Sequence, residues 1–221
     1  MTMHEHGWPR VLPMFPLSSV VLPGVAVPLH VFEPRYRALV MTCLTDDRQF
    51  GSVLIERGSE VGGGDVRGAT GTLVRILDAE VTPDGRWAVV GVGVERLRVV
   101  EWLRDDPFPR CIAEPWPDDF TEDPIKPQLR AAIDDLGRLL DALSEDSGQR
   151  SEDLADTLSL DAGTATFQLA ALAPISTLDR LEALRAPNPV SRLAVISGAV
   201  HERLETIRAL RALEEPGPED R

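Results

Sequence analysis

The chain has 221 residues with 36 acidic against 23 basic side chains, a net charge of −13 and a pI near 4.7. It therefore lacks the basic excess from which a phosphate-gripping surface draws its affinity. Apolar residues at 43% and charged residues at 27% suit a soluble globular protein long enough for one large domain or two small ones. The opening MTMHEHGWPR lacks the basic-then-apolar order of a secretory leader, and no apolar run reaches the roughly 18 residues of a membrane span. A cytoplasmic protein without membrane contact is expected.

In chain order, residues 10–17 and 25–31 are short apolar runs bounded by proline and glycine, and 50–56 (FGSVLIE) is a third. All three read as strands. Between the second and third, Tyr36, Leu39, Val40, Cys43 and Leu44 recur at i, i+3, i+4, i+7 and i+8, the apolar stripe of a helix over about 33–46. Pro34 sits in its first turn, where the missing N–H does no harm. RGSEVGGGDVRG is a loop. Residues 70–81 resume strand character, Pro83-Asp84-Gly85 is a turn, and 87–94, 97–103 and 111–113 follow as strands. Such spacing predicts a closed or half-closed antiparallel sheet with one helix over an open face.

After EPWPDDFTEDPIKP, a proline- and acid-rich hinge, the period changes. Leu129, Ile133, Leu136, Leu140 and Leu143 mark one face of a helix. Phe167, Leu169, Ala170 and Leu172 mark a shorter one that ends before Pro174. Ser176 and Asp179 form a capping box that opens a third, carrying Leu178, Leu181 and Leu184. Pro187-Asn-Pro189 stops it. Leu193, Ile196, Val200, Leu204 and Ile207 mark a long last helix, and EEPGPEDR reads as a disordered tail. The expected organisation is a barrel subdomain over 10–117, a helical bundle over 124–213 and a tail over 214–221.

The stretch FPLSSVVLPGVAVPLHVFEPRY spaces its prolines evenly, and a proline cannot donate to a strand ladder, so these residues belong at strand ends, edges and crossings. The order and spacing resemble the N-terminal, substrate-binding domain of the Lon ATP-dependent protease family, in particular its stand-alone members. PDGRWAVVGVGVERLRVVEW is similar to that family's PDG turn and following strand. FQLAALAPISTLDRLEALRAPNPVSRLAVISGAVHERLETI is similar to its closing helices. The resemblance covers about residues 10–213. It implies an α+β fold: a PUA-like antiparallel β-barrel with one covering helix, followed by an α-helical bundle. It also implies a polypeptide-binding task.

The residues offer no catalytic centre. Lys126 is the only lysine and is followed by Pro127, so neither a GxxxxGK[ST] phosphate loop nor a Ser-Lys dyad can be assembled from these residues. His4-x-His6 has no accompanying ligands at metal spacing, and no metal or cofactor is expected. Cys43 lies on the apolar stripe of its helix and Cys111 in an apolar segment; both read as buried, inert thiols. Gly91-Val-Gly93 lacks the third glycine of a dinucleotide fingerprint and leads into a strand, so a barrel bend accounts for it. Paired acids such as Asp105-Asp106 and Asp134-Asp135 read as solvated surface.

The expected function is non-catalytic binding of unfolded or exposed apolar polypeptide segments, in a groove between barrel and bundle near the helix at 33–46. Phe32, Tyr36, Trp102 and Trp116 are candidate aromatic anchors, with Glu33 and Arg35 orienting the bound chain. Tyr36 also belongs to the buried stripe, and each tryptophan may equally be core. A separate ATP-dependent protease or chaperone is a candidate partner, which would make the chain an adaptor; a holdase or sensor is equally compatible. The alternative is a PUA-like nucleic-acid-binding module, which the fold class permits and the charge opposes.

Overall fold

A computed structural model describes residues 7–58, 64–122, 125–143 and 150–214. His4 and His6, Gly62 and Gly63 of the glycine-rich loop, Asp123 and Pro124 of the hinge, and the tail after residue 214 lie outside the described residues. The chain divides into two compact units, Met1–Asp118 and Asp119–Arg221.

The first unit holds β1 (Arg10–Leu17), β2 (Ala26–Val31), α1 (Pro34–Thr45), β3 (Gln49–Arg57), β4 (Val66–Val81), β5 (Trp87–Trp102) and β6 (Arg110–Pro115). The sheet order is β2-β5-β4-β3-β1-β6, and β5 also pairs with β6. Thus β5, β4, β3, β1 and β6 close a ring, while β2 stays outside it. The expected barrel is present, with one difference: β1 and β3 run parallel, Met14 opposite Gly51, so the sheet is mixed. Parallel neighbours need a long crossover. Here β2 and α1 supply it, leaving β1 and returning beside it in the same direction.

Two clusters fill this unit. Leu12, Met14, Val53, Leu73, Leu97, Val99, Cys111 and Ala113, from all five ring strands, form one of them. Tyr36, Leu39, Val40 and Cys43 of α1 join Phe15, Phe50, Val74, Ile76 and Val89 in the other. Burying a side chain of this size contributes about 1.5–3 kcal/mol, so α1 is held by its stripe. Strands β3 and β4 send side chains into both clusters, which is why FGSVLIE reads as a continuous run without alternation. Both thiols are free and buried, and burial pushes each up to about 12. They remain protonated and unreactive at neutral pH.

Strand β5 is one element of 16 residues, where the sequence suggested two strands broken near Glu95 and Arg96. Arg96 looks like a break but is 3% exposed, and its Nη2 donates to Asp118 at 2.6 Å and to the Pro117 carbonyl at 3.1 Å. Along one edge β5 pairs β4 from Trp87 to Arg98; along the other it pairs first β2, then β6. Gly93 stands at that handover. Its N–H donates to the Val25 carbonyl at 3.0 Å, and its carbonyl accepts from the Gly24 N–H at 2.9 Å. A Cβ here would lie 2.2 Å from the Leu22 carbonyl oxygen, so close backbone approach, a reason the sequence did not suggest, requires glycine at this position. The PDG turn behaves as expected: Gly85 has φ 79°, and the Thr82 N–H donates to the Arg86 carbonyl.

The second unit holds α2 (Ile125–Leu143), α3 (Arg150–Thr157), α4 (Ala162–Leu172), α5 (Thr177–Arg185) and α6 (Pro189–Glu214). The Ser176/Asp179 capping box is formed reciprocally, and Asn188 Oδ1 accepts the Ser191 N–H at the start of α6. Helix α3 leaves no signature in the sequence, because RSEDLADT carries a single leucine and hence no apolar period. Leu143 and Leu178 are exposed at 48% and 68%, so the stripes of α2 and α5 are shorter at those ends than their spacing suggested. Arg192 of α6 is completely buried; its Nε donates to the Ala183 carbonyl, its Nη1 to Thr166 Oγ1 at 2.7 Å, and its guanidinium lies over Phe167. One cation thereby joins α4, α5 and α6. No helix among the described residues is long and apolar enough to cross a membrane.

Two stability predictions follow from these contacts. Gly93→Ala should cost about 2–3 kcal/mol in urea unfolding, since backbone must move to admit the methyl group; a change within about 0.5 kcal/mol would contradict the handover geometry. Arg192→Ala should cost on the order of 3 kcal/mol, and Arg192→Lys should recover little, because an ammonium cannot reproduce the planar fork. Full recovery by lysine would show that charge alone matters.

Candidate functional site

Because β2 leaves the ring, a cleft of about 300 Å³ opens beside it, walled by β2 residues from Val27 to Val31 and by Phe15, Leu17 and Tyr36 of β1 and α1. Its apolar wall is rigid: the rings of Phe15 and Tyr36 stack with centroids 4.2 Å apart and planes 11° from parallel. Desolvation is the main reason the Tyr36 phenol is pushed up to about 12, so it stays a neutral hydrogen-bonding group. Ser19 and Glu33 contribute polar atoms at the margin. Phe32, at the exit of β2, keeps half its surface in water. An exposed phenylalanine at the lip of an apolar cleft is the arrangement that holds a hydrophobic side chain.

Strand β2 also offers its backbone. The Gly93–Val25 hydrogen bond sets the phase of the ladder: residues 25, 27, 29 and 31 turn their backbone groups toward β5, and Ala26, Pro28 and His30 turn theirs away. Among the described residues no strand pairs with that outward edge. Pro28, which has no N–H to offer, sits on the open side, a placement that blunts an edge against indiscriminate pairing.

The expected site residues fall in three places. Phe32, Glu33 and Tyr36 line the cleft. Arg35 stands behind it, its guanidinium 4.5 Å from the Tyr36 ring centre and its Nε donating to Glu33 at 3.2 Å. Trp102 does not line the cleft; its ring lies under Arg67, 5.1 Å away, and packs on the cluster that contains Leu12. Arg67 in turn pairs with Asp65 and Asp105, both at 2.7 Å. Burial opposes ionisation of Asp65, yet the hydrogen bond and charge of Arg67, with a contribution from Arg35, hold its carboxyl below the usual range. Trp116 is bracketed by Arg96 and Arg98 at 4.8 and 4.5 Å, where the chain leaves β6. Both tryptophans are thus clasped by arginines of their own unit.

Residues that the sequence reading missed include Phe15, Leu17, Val27 and Leu29 of the cleft. Their strand pattern in the sequence does not mark them as cleft residues. A second depression of about 300 Å³ adjoins β2, with Asp78 and Glu80 of β4 among its lining residues. Among the described residues no group of three or more His, Cys, Asp or Glu is placed to hold a metal ion.

Comparison with known proteins bears on what such a cleft is for. Residues 11–201 match the family described as the ATP-dependent protease La (LON) substrate-binding domain. A Lon protease from Cytophaga hutchinsonii is 33% identical over 109 residues, which are 48% of this chain and 13% of that protein, so the chain spans only a small part of the curated relatives it matches. The crystal structure of a Lon N-terminal domain protein from Xanthomonas campestris superimposes with a TM-score of 0.59 at 31% identity, covering 90% of this chain and 98% of that one. The N-terminal domain of a Mycobacterium avium complex Lon protease gives a TM-score of 0.60, covering 87% of this chain and 99% of that one; at 18% identity it supports the fold alone. The chain belongs to the Lon substrate-binding domain family.

Proposed function

We propose that this protein captures extended apolar segments of other polypeptides in the β2–α1 cleft and leaves their covalent bonds intact. The observation that carries this reading is the exposed Phe32 at the mouth of a cleft walled by the Phe15–Tyr36 stack. A half-exposed aromatic ring beside a preformed apolar wall loses little conformational freedom on binding and gains apolar contact. Family membership supports polypeptide as the ligand class, because the family is described by substrate binding.

Among the described residues, those of the cleft and its rim are suited to binding. Tyr36 and both cysteines stay protonated at neutral pH, and the charged groups at the rim are engaged with one another: Glu33 with Arg35, and Asp65 and Asp105 with Arg67. A captured chain would be released unchanged. Such a protein serves quality control in the cytoplasm as an adaptor that delivers clients to a separate ATP-dependent protease or chaperone, as a holdase, or as a sensor. Two buried free thiols accord with that reducing compartment. The nucleic-acid alternative is disfavoured, since the net charge is −13 and Glu33 is the charged residue that lines the cleft.

Phe32→Ser should weaken binding of a reduced, alkylated and permanently unfolded protein about tenfold by fluorescence anisotropy, with the melting temperature unchanged. Undiminished binding by this variant would remove the cleft from the account. Crosslinking in lysate then separates the roles: many non-native clients indicate a holdase, one stoichiometric protein an adaptor.

A further inference from the structure

Tyr36 brings an unanswered hydrogen-bonding group to the cleft. The residue is 3% exposed and its ring lies flat on Phe15. Among the described residues, however, nothing donates to its hydroxyl or accepts from it. A buried tyrosine hydroxyl ordinarily finds a partner, since leaving it without one is costly. The fully enclosed polar atoms that lack a partner belong to other side chains, Ser52 among them, so the Tyr36 oxygen is not sealed from solvent. Tyr36 lines the cleft, and the cleft is where that oxygen is reached.

Charge decides what can answer it. The charged groups that act on the phenol are Arg35, Asp65, Glu33 and Arg67, two of each sign. Glu33 pairs with Arg35, and Asp65 with Arg67. None of the residues lining the cleft is a lysine or arginine, while Glu33 is one of them. His30 sits on the opposite face of β2 from Val27 and Leu29, which pack on the cluster holding Tyr36. A carboxylate entering here faces Glu33 and gives up its hydration without a cation to replace it. An ammonium finds only Glu33, which Arg35 already holds. A neutral acceptor suffers neither loss, and the one that a polypeptide repeats at every residue is the peptide carbonyl.

We propose that the Tyr36 hydroxyl donates a hydrogen bond to a main-chain carbonyl of the captured polypeptide, so that the cleft takes internal stretches of chain and discriminates against a free carboxyl end. This deepens the capture reading above and rests on it. In an extended chain successive residues advance about 3.3 Å, so an apolar side chain resting on Phe15 and Leu17 carries a carbonyl close beside it. A phenol donates equally well to the carbonyl of any residue. The contact therefore orients the main chain without reading its sequence, and the apolar wall supplies the preference for hydrophobic segments.

The test uses the full chain and a fluorescently labelled ten-residue peptide of phenylalanine, valine and serine with both ends capped. Tyr36→Phe keeps the ring on Phe15 and removes only the hydroxyl. It should weaken anisotropy-measured binding about fivefold while the melting temperature stays level or rises. Replacing the peptide bonds one at a time by esters, whose carbonyls are poorer acceptors, should identify a position that weakens binding to the native protein and has no effect on the Tyr36→Phe variant. A four-residue peptide ending in valine should bind about fivefold less tightly as the free acid than as the amide at low salt. Undiminished binding by Tyr36→Phe, an ester scan with no position coupled to Tyr36, or a free acid that binds as well as the amide each overturns the proposal. If Phe32→Ser weakens binding and Tyr36→Phe does not, the capture reading stands and the hydrogen-bond proposal falls; if neither the peptide nor unfolded protein binds, both fall.

Discussion

One backbone contact organises the barrel unit: the approach of the 22–25 segment to Gly93. Strand β5 must serve β2 and β6 on the same edge, and Gly93 marks where one partner ends and the other takes over. With a side chain at that position the Leu22 carbonyl could not come so near. Because β2 pairs only with β5 among the ring strands, over Ala26–Val31, its other edge stays apart from β1 and β6. The gap is then available to a ligand. The cleft is a consequence of sheet topology before it is a matter of side chains.

The side chains make that gap useful. Helix α1 buries Tyr36, Leu39, Val40 and Cys43, and in doing so holds the Tyr36 ring flat against Phe15. Proline at the first turn of α1 leaves Glu33 extended just before the helix, and Phe32 next to it keeps half its surface exposed. Arg35 and Arg67 tie the start of α1, the segment entering β4 and the β5–β6 loop into one electrostatic rim. A rim of this kind contributes modestly to stability, as partly exposed pairs do.

Much of the fold was legible because local chemistry and tertiary structure agree. The run of residues 10–17, the PDG turn, the stripe beginning at Tyr36 and the Ser176/Asp179 cap each state their structure within a few residues. The failures occur where a distant partner decides. Arg96 looks like a strand breaker until Asp118 and the Pro117 carbonyl are seen to take its guanidinium. The parallel β1–β3 pair depends on where the crossover lands, and helix α3 carries too little apolar pattern to announce itself. Of the four aromatic side chains singled out by residue type, Phe32 and Tyr36 line the cleft, while Trp102 and Trp116 are held by arginines away from it.

The central claim is that the exit of β2, together with the first turn of α1, receives the ligand. Amide hydrogen exchange of the whole chain, with and without a saturating unfolded polypeptide, reads this out residue by residue. The account predicts added protection at His30 and the segment around Phe32, with the amides of α2 and α6 unaltered. Protection confined to the helices, with β2 exchanging as in the free protein, would contradict it.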